Sequence, residues 1–248
     1  MKSLLKSIIS NSGYNLIRKD SSKVWVDKVE TPHGRRANFL QDLGIQVVLD
    51  VGAHMGWYAA DLRSFGYLGR IVSFEPQTIP FKELEERSNA DTDWICVQSA
   101  LGDLNTTATL NISEEKESSS LLGILPRHVD ALPSSGVVDS EEIQVKRLDS
   151  IISKYADPEE KVFLKLDVQG FEEKVLRGAE SCLPQIHGIQ LEMSLKPLYE
   201  EEVLFGQLYN RMESMGFLLA WVEPGFRNNK TGELLQLDGI FIRPQDSA

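Results

Sequence analysis

Three acidic residues follow short apolar stretches of the sequence and have the residue types of a ligand site. Asp50 comes after an apolar run, Glu75 closes the next one, and Asp167 ends a third. Runs of this length and β-branched content are typical of buried parallel strands. Because ligands bind at the carboxyl ends of the strands in open α/β sheets, we expect these three carboxylates to surround one site.

The first of these carboxylates opens a glycine turn, which reads D-V-G-A-H-M-G from Asp50 to Gly56. Gly52 lets the backbone turn tightly, and Gly56 lets the next helix start close to a strand or a ligand. His54 stands where a dinucleotide fingerprint would have a middle glycine, and its bulk would obstruct a diphosphate. The turn therefore better fits a ligand with a smaller polar end, such as the amino-acid portion of S-adenosylmethionine (SAM).

The carboxylate after the second strand suits a ribose. Glu75 can accept hydrogen bonds from both ribose hydroxyls of a nucleotide-like cofactor. A nicotinamide-dependent oxidoreductase would also use an acidic residue there, and it stays open as an alternative that the glycine spacing opposes. The sequence has no G-x-x-x-x-G-K-[ST] motif, which excludes a P-loop.

The elements that must position these residues alternate along the chain. Their order, β-α-β-α-β with short connections, predicts an α/β fold with a parallel sheet and right-handed crossovers. The connection 223–236 is hairpin-like, so we expect the last strand to be antiparallel. Strands are predicted at 47–50, 69–76, 93–98, 143–148, 161–168, 187–193, 217–222 and 237–242, with a further strand or hairpin arm at 106–112. Helices are predicted at 35–43, 57–65, 79–87, 148–155, 171–177 and 198–215.

Two regions depart from this alternation. Residues 1–44 are predicted to be a helical extension of a domain at 45–248, and Leu4, Leu5, Ile8 and Ile9 form one face of a short amphipathic helix. That helix would pack on the domain, or on a partner in a homo-oligomer, rather than lie on a membrane. An insertion at about 104–146 contains Ser118, Ser119, Ser120 and His128. We expect it to be a lid or binding loop, solvated by default.

The overall composition narrows the class of protein. A net charge of −11 and a pI near 4.9 argue against a nucleic-acid-binding surface. Cys96 and Cys182 are too few for a disulfide framework, which predicts a reducing cytoplasm, and they lack the neighbours of a zinc site. The apolar runs at the N-terminus are too short for a membrane span, so no stable membrane insertion is expected.

An ordered set of motifs resembles the FkbM-type SAM-dependent methyltransferases over about residues 45–243. The motifs are D-V-G-A-H-M-G at 50–56, F-E-P at 74–76, S-A-L-G-D at 99–103 and L-K-L-D-V-Q-G-F-E at 164–172. Gln169 departs from the pattern, since the family usually has Glu there. The resemblance implies a Rossmann-like class I methyltransferase fold, with a seven-stranded, mostly parallel sheet and an antiparallel last strand. It also implies SAM as cofactor and methylation of a hydroxyl on a small molecule, sugar or glycan.

The predicted cofactor site combines the glycine turn with the ends of the neighbouring strands. Asp50 is expected to brace the turn through backbone N–H groups, and Ser99, Ala100 and Leu101 to flank the adenine. The full set of predicted cofactor-binding residues is Asp50, Gly52, Ala53, His54, Gly56, Glu75, Pro76, Ser99, Ala100, Leu101 and Asp167.

A hydroxyl acceptor needs a base or a metal to remove its proton, and the candidates for catalysis are Asp167, Glu192 and His54. Lys165 shares one face of its strand with Asp167 and is expected to pair with Asp167 or Glu192. Asp167 is then either catalytic or part of a structural ion pair under the site. Asp167 with Glu192 could also hold a divalent metal, but a third ligand is not identifiable, so no metal residues are assigned. A non-catalytic SAM-binding or assembly protein would keep Glu75 and lack a working base.

Overall fold

The computed structural model describes residues 14–19, 22–27 and 31–244, and only the backbone of the first two segments. Those two segments are strands β1 (Tyr14–Lys19) and β2 (Ser22–Asp27), which pair antiparallel. Within 1–44, where a helical extension was predicted, the described residues thus form two strands as well as a helix. Helix α1 (Pro32–Asp42) confirms the helix predicted at 35–43, while Leu4, Leu5, Ile8 and Ile9 lie outside the described residues.

The remaining elements alternate as the sequence predicts. The further strands are β3 (Val47–Val51), β4 (Arg70–Phe74), β5 (Trp94–Val97), β6 (Ala100–Leu101), β7 (Thr106–Ser113), β8 (Val137–Lys146), β9 (Val162–Leu166), β10 (Ile186–Ser194), β11 (Leu218–Pro224) and β12 (Gln236–Ile242). The further helices are α2 (Trp57–Ser64), α3 (Thr78–Ser88), α4 (Pro126–Ala131), α5 (Glu172–Gly178) and α6 (Phe205–Ser214).

The main sheet has seven strands in the order β11-β12-β10-β9-β3-β4-β5. β12 runs antiparallel to both β10 and β11, and the pairs from β10 to β5 are parallel. The predicted α/β fold with an antiparallel last strand is confirmed. That strand lies between β10 and β11, inside the sheet rather than at its edge.

Burial on both faces explains the apolar runs of the central strands. β3 and β9 are buried along their whole length. Alternation sends Val47 and Leu49 into the core on one face of the sheet and Val48 into the core on the other. The sheet is thus covered on both sides, which holds the carboxyl ends of its strands in fixed register.

The insertion forms most of a second sheet, in which β7 confirms the strand predicted at 106–112 and β8 overlaps the strand predicted at 143–148. β8 pairs with β7 antiparallel and with β6 parallel. Ser118, Ser119, Ser120 and His128 are all buried, so the expectation of a solvated loop was wrong for them. The insertion folds back on the domain, where the Ser120 hydroxyl donates to the backbone oxygen of Gln169 at 2.7 Å.

Two helix predictions failed because apolar spacing did not decide the local structure. The segment 148–155 forms two short 3₁₀ turns, Leu148–Ser150 and Ile152–Lys154. The helix predicted at 198–215 begins only at Phe205. Leu198 and Tyr199 are instead buried in a separate apolar cluster beside the insertion, and tertiary packing there outweighs helix propensity. In the described part of the chain, no helix combines the length and apolar character needed to cross a membrane.

Candidate functional site

A cavity of about 400 Å³ opens at the carboxyl ends of the central strands. Its wall combines the glycine turn, the strand ends, the insertion and one residue of α1. Its size is in the range of sites that bind small molecules. Among the predicted cofactor residues, the cavity is lined by Gly52, Ala53, His54, Glu75, Pro76, Ala100, Leu101 and Asp167.

The glycine turn is held in a conformation that requires glycine at two positions. Gly52 has φ +77°, and a Cβ there would lie 1.8 Å from the backbone oxygen of Asp167. Gly56 has φ +81°, and a Cβ would lie 2.7 Å from Leu84. The turn therefore packs directly against the end of β9 and against α3, and Gly56 shapes this packing from outside the cavity.

Glu75 is buried and accepts hydrogen bonds from two backbone N–H groups. Its Oε2 accepts from the N–H of His54 at 2.8 Å, and its Oε1 accepts from the N–H of Gln77 at 2.8 Å. Burial raises the pKa of Glu75 to about 7, although these two hydrogen bonds act to lower it. Each carboxylate oxygen has further acceptor capacity, and the residue lines the cavity, so it suits two ribose hydroxyls.

The wall beyond Glu75 is apolar. Leu101, Phe171 and Leu121 line the cavity there together with Ala100. The Ser99 side chain instead donates to the backbone oxygens of Ala100 and Gln144, at 2.8 and 3.2 Å, and does not line the cavity. Apolar lining residues, a carboxylate suited to a ribose and a glycine turn thus meet in one cavity, and this combination fits adenosine with an amino-acid end, which is the shape of SAM.

A row of buried polar side chains crosses the sheet at the floor of the cavity, which Lys165 and Gln190 line. Asp50 accepts from the Ser73 hydroxyl at 3.1 Å and lies 3.2 Å from the Lys165 ammonium. Lys165 also donates to the backbone oxygen of Gly52 at 3.1 Å. The strand register places Ser73, Asp50, Lys165 and Gln190 side by side. Asp50 thus braces the site through a lysine, not through the turn's N–H groups, and does not line the cavity.

Carboxylates occupy the next row, two residues further along each strand. Asp167 follows Lys165, Glu192 follows Gln190, and Asp238 of β12 is the register partner of Glu192. Burial and the neighbouring carboxylate of Asp167 raise the pKa of Glu192 well above its usual range and that of Asp238 to about 6. Strand alternation brings these side chains to one wall of the cavity.

Lys165 compensates part of this negative charge. Its ammonium lies 3.5 Å from an Asp167 oxygen, which confirms one of its two predicted partners. Asp50 is its second partner, and Glu192 is not within ion-pair distance among the described residues. Burial acts to lower the pKa of Lys165, but Asp50 and Asp167 outweigh it and raise the pKa above its usual value.

Gln169 connects the carboxylates to each other. Its amide nitrogen donates to Asp167 at 2.7 Å and to Glu192 at 2.9 Å, and its amide oxygen accepts from the Tyr199 hydroxyl at 2.5 Å. Sequence reasoning noted Gln169 only as a departure from a family pattern and assigned no role to Tyr199. Tyr199 sits 30 positions away in the chain, and no local pattern signals their contact.

His54 lines the cavity, but its two ring nitrogens differ in their surroundings. Its Nδ1 lies 4.0 Å from a carboxylate oxygen of Glu117, and its Nε2 is shielded from solvent with no hydrogen-bond partner in the described part of the chain. Burial lowers the pKa of His54, so the neutral ring is favoured. Its backbone N–H is the part that serves the site, through Glu75.

Several residues of the acceptor side were not predicted. Arg36 of α1 lines the cavity, is ion-paired with Glu223 at 2.5 Å and lies over the Tyr58 ring. Tyr58 donates to Gln190, which donates to Asp238 at 3.2 Å. Strand alternation could have identified Gln190, two positions before Glu192; nothing in the helix pattern singles out Arg36.

The acidic residues of this wall are not arranged as a metal centre. Over residues 31–244, no group of three or more His, Cys, Asp or Glu side chains is placed to hold a metal ion. The carboxylates are joined instead by hydrogen bonds to amides and by the Lys165 ion pair.

Solved structures share this fold at low sequence identity. A protein from Thermobifida fusca YX is 10% identical, with a TM-score of 0.51 over 86% of this chain and 79% of that chain. An uncharacterized protein from Listeria monocytogenes serotype 4b is 8% identical, with a TM-score of 0.50 over 88% and 70%. A SAM dependent methyltransferase from Aquifex aeolicus is 13% identical, with a TM-score of 0.42 over 88% and 96%.

The sequence comparison identifies the family. No curated protein sequence matches the chain significantly. The model of the methyltransferase FkbM domain matches residues 50–219, which is more than half of the chain and includes the glycine turn, Glu75, Asp167 and Glu192. The chain therefore belongs to the FkbM methyltransferase family, and it is a methyltransferase that uses SAM as its cofactor.

Proposed function

We propose that the protein is an O-methyltransferase that transfers the methyl group of SAM to a hydroxyl of a small molecule, sugar or glycan. The observation that carries the proposal is the position of Glu192. It lies in the same cavity as the Gly52 turn and Glu75, beside Asp167 and Asp238. A cofactor cradle and a carboxylate of raised pKa thus face one enclosed space.

The part of the cavity around the glycine turn and Glu75 would bind the cofactor. When bound, SAM supplies an electrophilic methyl group on its sulfonium. Glu75 would accept hydrogen bonds from the ribose hydroxyls, and the turn at Gly52 and Ala53 would contact the amino-acid end. Leu101 and Phe171 would cover the adenine and exclude water. Together these residues would fix the direction of the methyl group, which a displacement reaction in line with the acceptor requires.

Glu192 is the base in this proposal. Its Oε2 accepts from the amides of Gln169 and Gln236, each at 2.9 Å, while its Oε1 has no hydrogen-bond partner among the described residues. A raised pKa makes a carboxylate a better proton acceptor near neutral pH. Asp167 is tied to Lys165 and Gln169 and orients the site. The shielded Nε2 of His54 argues against His54 as the base.

The remaining lining residues support a hydroxyl-rich acceptor. Arg36 only donates hydrogen bonds and Asp238 only accepts them when ionised, whereas a hydroxyl does both. Trp57 lies at the cavity with 57% of its surface exposed, and an aromatic ring can pack on the apolar face of a sugar. The combination fits an acceptor that carries several hydroxyls.

The test compares Glu192→Gln and Asp167→Asn with the parent protein. SAM affinity is measured by calorimetry, and SAH formation is measured over a panel of sugars, glycosides and phenols. We expect Glu192→Gln to lower kcat by about 10²–10⁴-fold with SAM affinity unchanged, as for loss of a general base. We expect Asp167→Asn to lower kcat more than SAM affinity. Full turnover in Glu192→Gln would refute its role, and SAM binding without turnover of any acceptor would favour a non-catalytic role.

We also propose a cytoplasmic location and no nucleic-acid partner. Cys96 and Cys182 are both free thiols, which suits a reducing compartment. The net charge of −11 would repel phosphate backbones. Cell fractionation with a tagged protein tests the location, and recovery in the periplasmic or extracellular fraction would contradict it.

A further inference from the structure

Gln169 stands in a backbone position fixed from several sides. It has φ +54° and is followed by Gly170 at φ +91°, so the chain turns sharply after β9. Its backbone oxygen accepts from the Ser120 hydroxyl of the insertion at 2.7 Å. A non-glycine residue in this region of φ costs free energy, which the surrounding hydrogen bonds must offset. The side chain therefore leaves the backbone in one defined direction.

Both the nitrogen and the oxygen of the Gln169 side-chain amide form hydrogen bonds. Its nitrogen donates one hydrogen to Asp167 at 2.7 Å and the other to Glu192 at 2.9 Å. Its oxygen accepts from the Tyr199 hydroxyl at 2.5 Å. Carboxylates accept and do not donate when ionised, so this orientation is the one in which all three contacts are favourable.

An acidic side chain in the same place would reverse two of these contacts. A carboxylate oxygen would then face the oxygens of Asp167 and Glu192 at hydrogen-bond distance. Like charges this close cannot all stay ionised, and a proton or a cation has to come between them. The amide joins the two carboxylates without either.

Glu192 is surrounded by charges from three other elements or their flanking turns. Asp167 directly follows β9, Glu172 begins α5, Asp238 is on β12, and Lys165 on β9 carries the compensating positive charge. The Tyr199 hydroxyl faces the same group. Burial first, and then the three carboxylates, raise the pKa of Glu192. The donated hydrogens of Gln169 and Gln236 favour the ionised form against this environment.

We propose that Gln169 is a positioning residue for methyl transfer, whose amide keeps Asp167 and Glu192 together as carboxylates and leaves Glu192 Oε1 facing the acceptor. This inference rests on the proposed role of Glu192 as base. Tyr199 acts through Gln169, since its hydroxyl fixes which end of the amide meets the carboxylates.

The test is a carboxyl titration of the SAH-bound protein labelled with ¹³C at the glutamate side-chain carboxyls. The Glu192 signal is assigned by its loss in Glu192→Gln, and EDTA keeps cations from neutralising the cluster. We expect Gln169→Glu to raise the pH at which Glu192 is half-titrated, its titration midpoint, by about one pH unit or more. Tyr199→Phe should move it the same way by less. Gln41→Glu, the same change on an exposed side chain of α1, should leave it unchanged.

Turnover provides the second readout. In Gln169→Glu, the rising limb of kcat against pH should shift upward, and kcat at about pH 7 should fall about tenfold, with SAH affinity unchanged. An unmoved Glu192 midpoint in Gln169→Glu would overturn the inference, and if that variant does not fold, an unmoved midpoint in Tyr199→Phe would do so. Failure of the parent protein to methylate any hydroxyl would refute the proposed function instead, while the titration would still judge Gln169.

Discussion

Replacing Glu75 with Gln isolates the contribution of one carboxylate to cofactor binding. The substitution keeps the shape but removes the charge and turns an NH₂ group toward one of the two backbone N–H donors that Glu75 now accepts. Losing a hydrogen-bonded buried charge typically costs about 1.5–3 kcal/mol. We therefore expect the Kd for SAM to rise by roughly tenfold to a hundredfold.

Because the pKa of Glu75 is raised, SAM binding should also release a proton that the same experiment can measure. With a pKa of about 7, Glu75 of the ligand-free protein is mostly protonated at about pH 6. Ribose hydroxyls that donate to the carboxylate favour its ionised form, so binding should release close to one proton at that pH. By linkage, affinity should rise about tenfold from about pH 6 to about pH 8.

Calorimetry in two buffers of different ionisation enthalpy measures both quantities. The proton release and the pH dependence should disappear in Glu75→Gln. Glu86→Gln makes the same change on the exposed face of α3 and serves as the matched control. If Glu75→Gln binds SAM with the parent affinity and the parent shows no proton release, Glu75 does not hold the ribose.

Three further predictions concern the support of the site. Lys165→Met leaves Asp50 buried without its cation, so the free energy of unfolding measured in urea should fall by about 3–5 kcal/mol. The double variant with Asp50→Asn should recover most of that loss. Equal stability of Lys165→Met and the parent would contradict this reasoning. Gly52→Ala places a Cβ 1.8 Å from the Asp167 backbone oxygen, so SAH affinity should fall below detection; parent affinity in calorimetry would show that the turn tolerates the methyl group. Burial raises the pKa of Glu172 from 4.5 to about 8, so the folded state holds a proton that the unfolded state has lost in this window. The free energy of unfolding should therefore fall as pH rises from about 4.5 to about 8, and Glu172→Gln should flatten that slope.

Much of the main sheet follows from local sequence patterns. The runs at Val47–Val51 and Val162–Leu166 are buried along their length, so their apolar character identifies them as central strands without further information. The hairpin-like connection before β12 predicted its antiparallel direction, and the sheet confirms it. In the insertion, local patterns predicted parts of β7 and β8, but not the burial of polar residues such as Ser118, because that burial results from packing against distant parts of the chain.

By itself the sequence determined which residues meet on the proposed cofactor side of the cavity. The glycine turn, Glu75 and Asp167 each lie at a strand end, and strand ends of a parallel sheet meet at one edge whatever else the chain does. The acceptor side depended on tertiary structure. Gln169 reaches Tyr199 and Glu192, and Arg36 reaches the cavity from the extension, only because of strand order, register and the packing of the insertion. Contacts between residues far apart in the chain leave no periodic signal, so the groups around the proposed base could be found only in the fold.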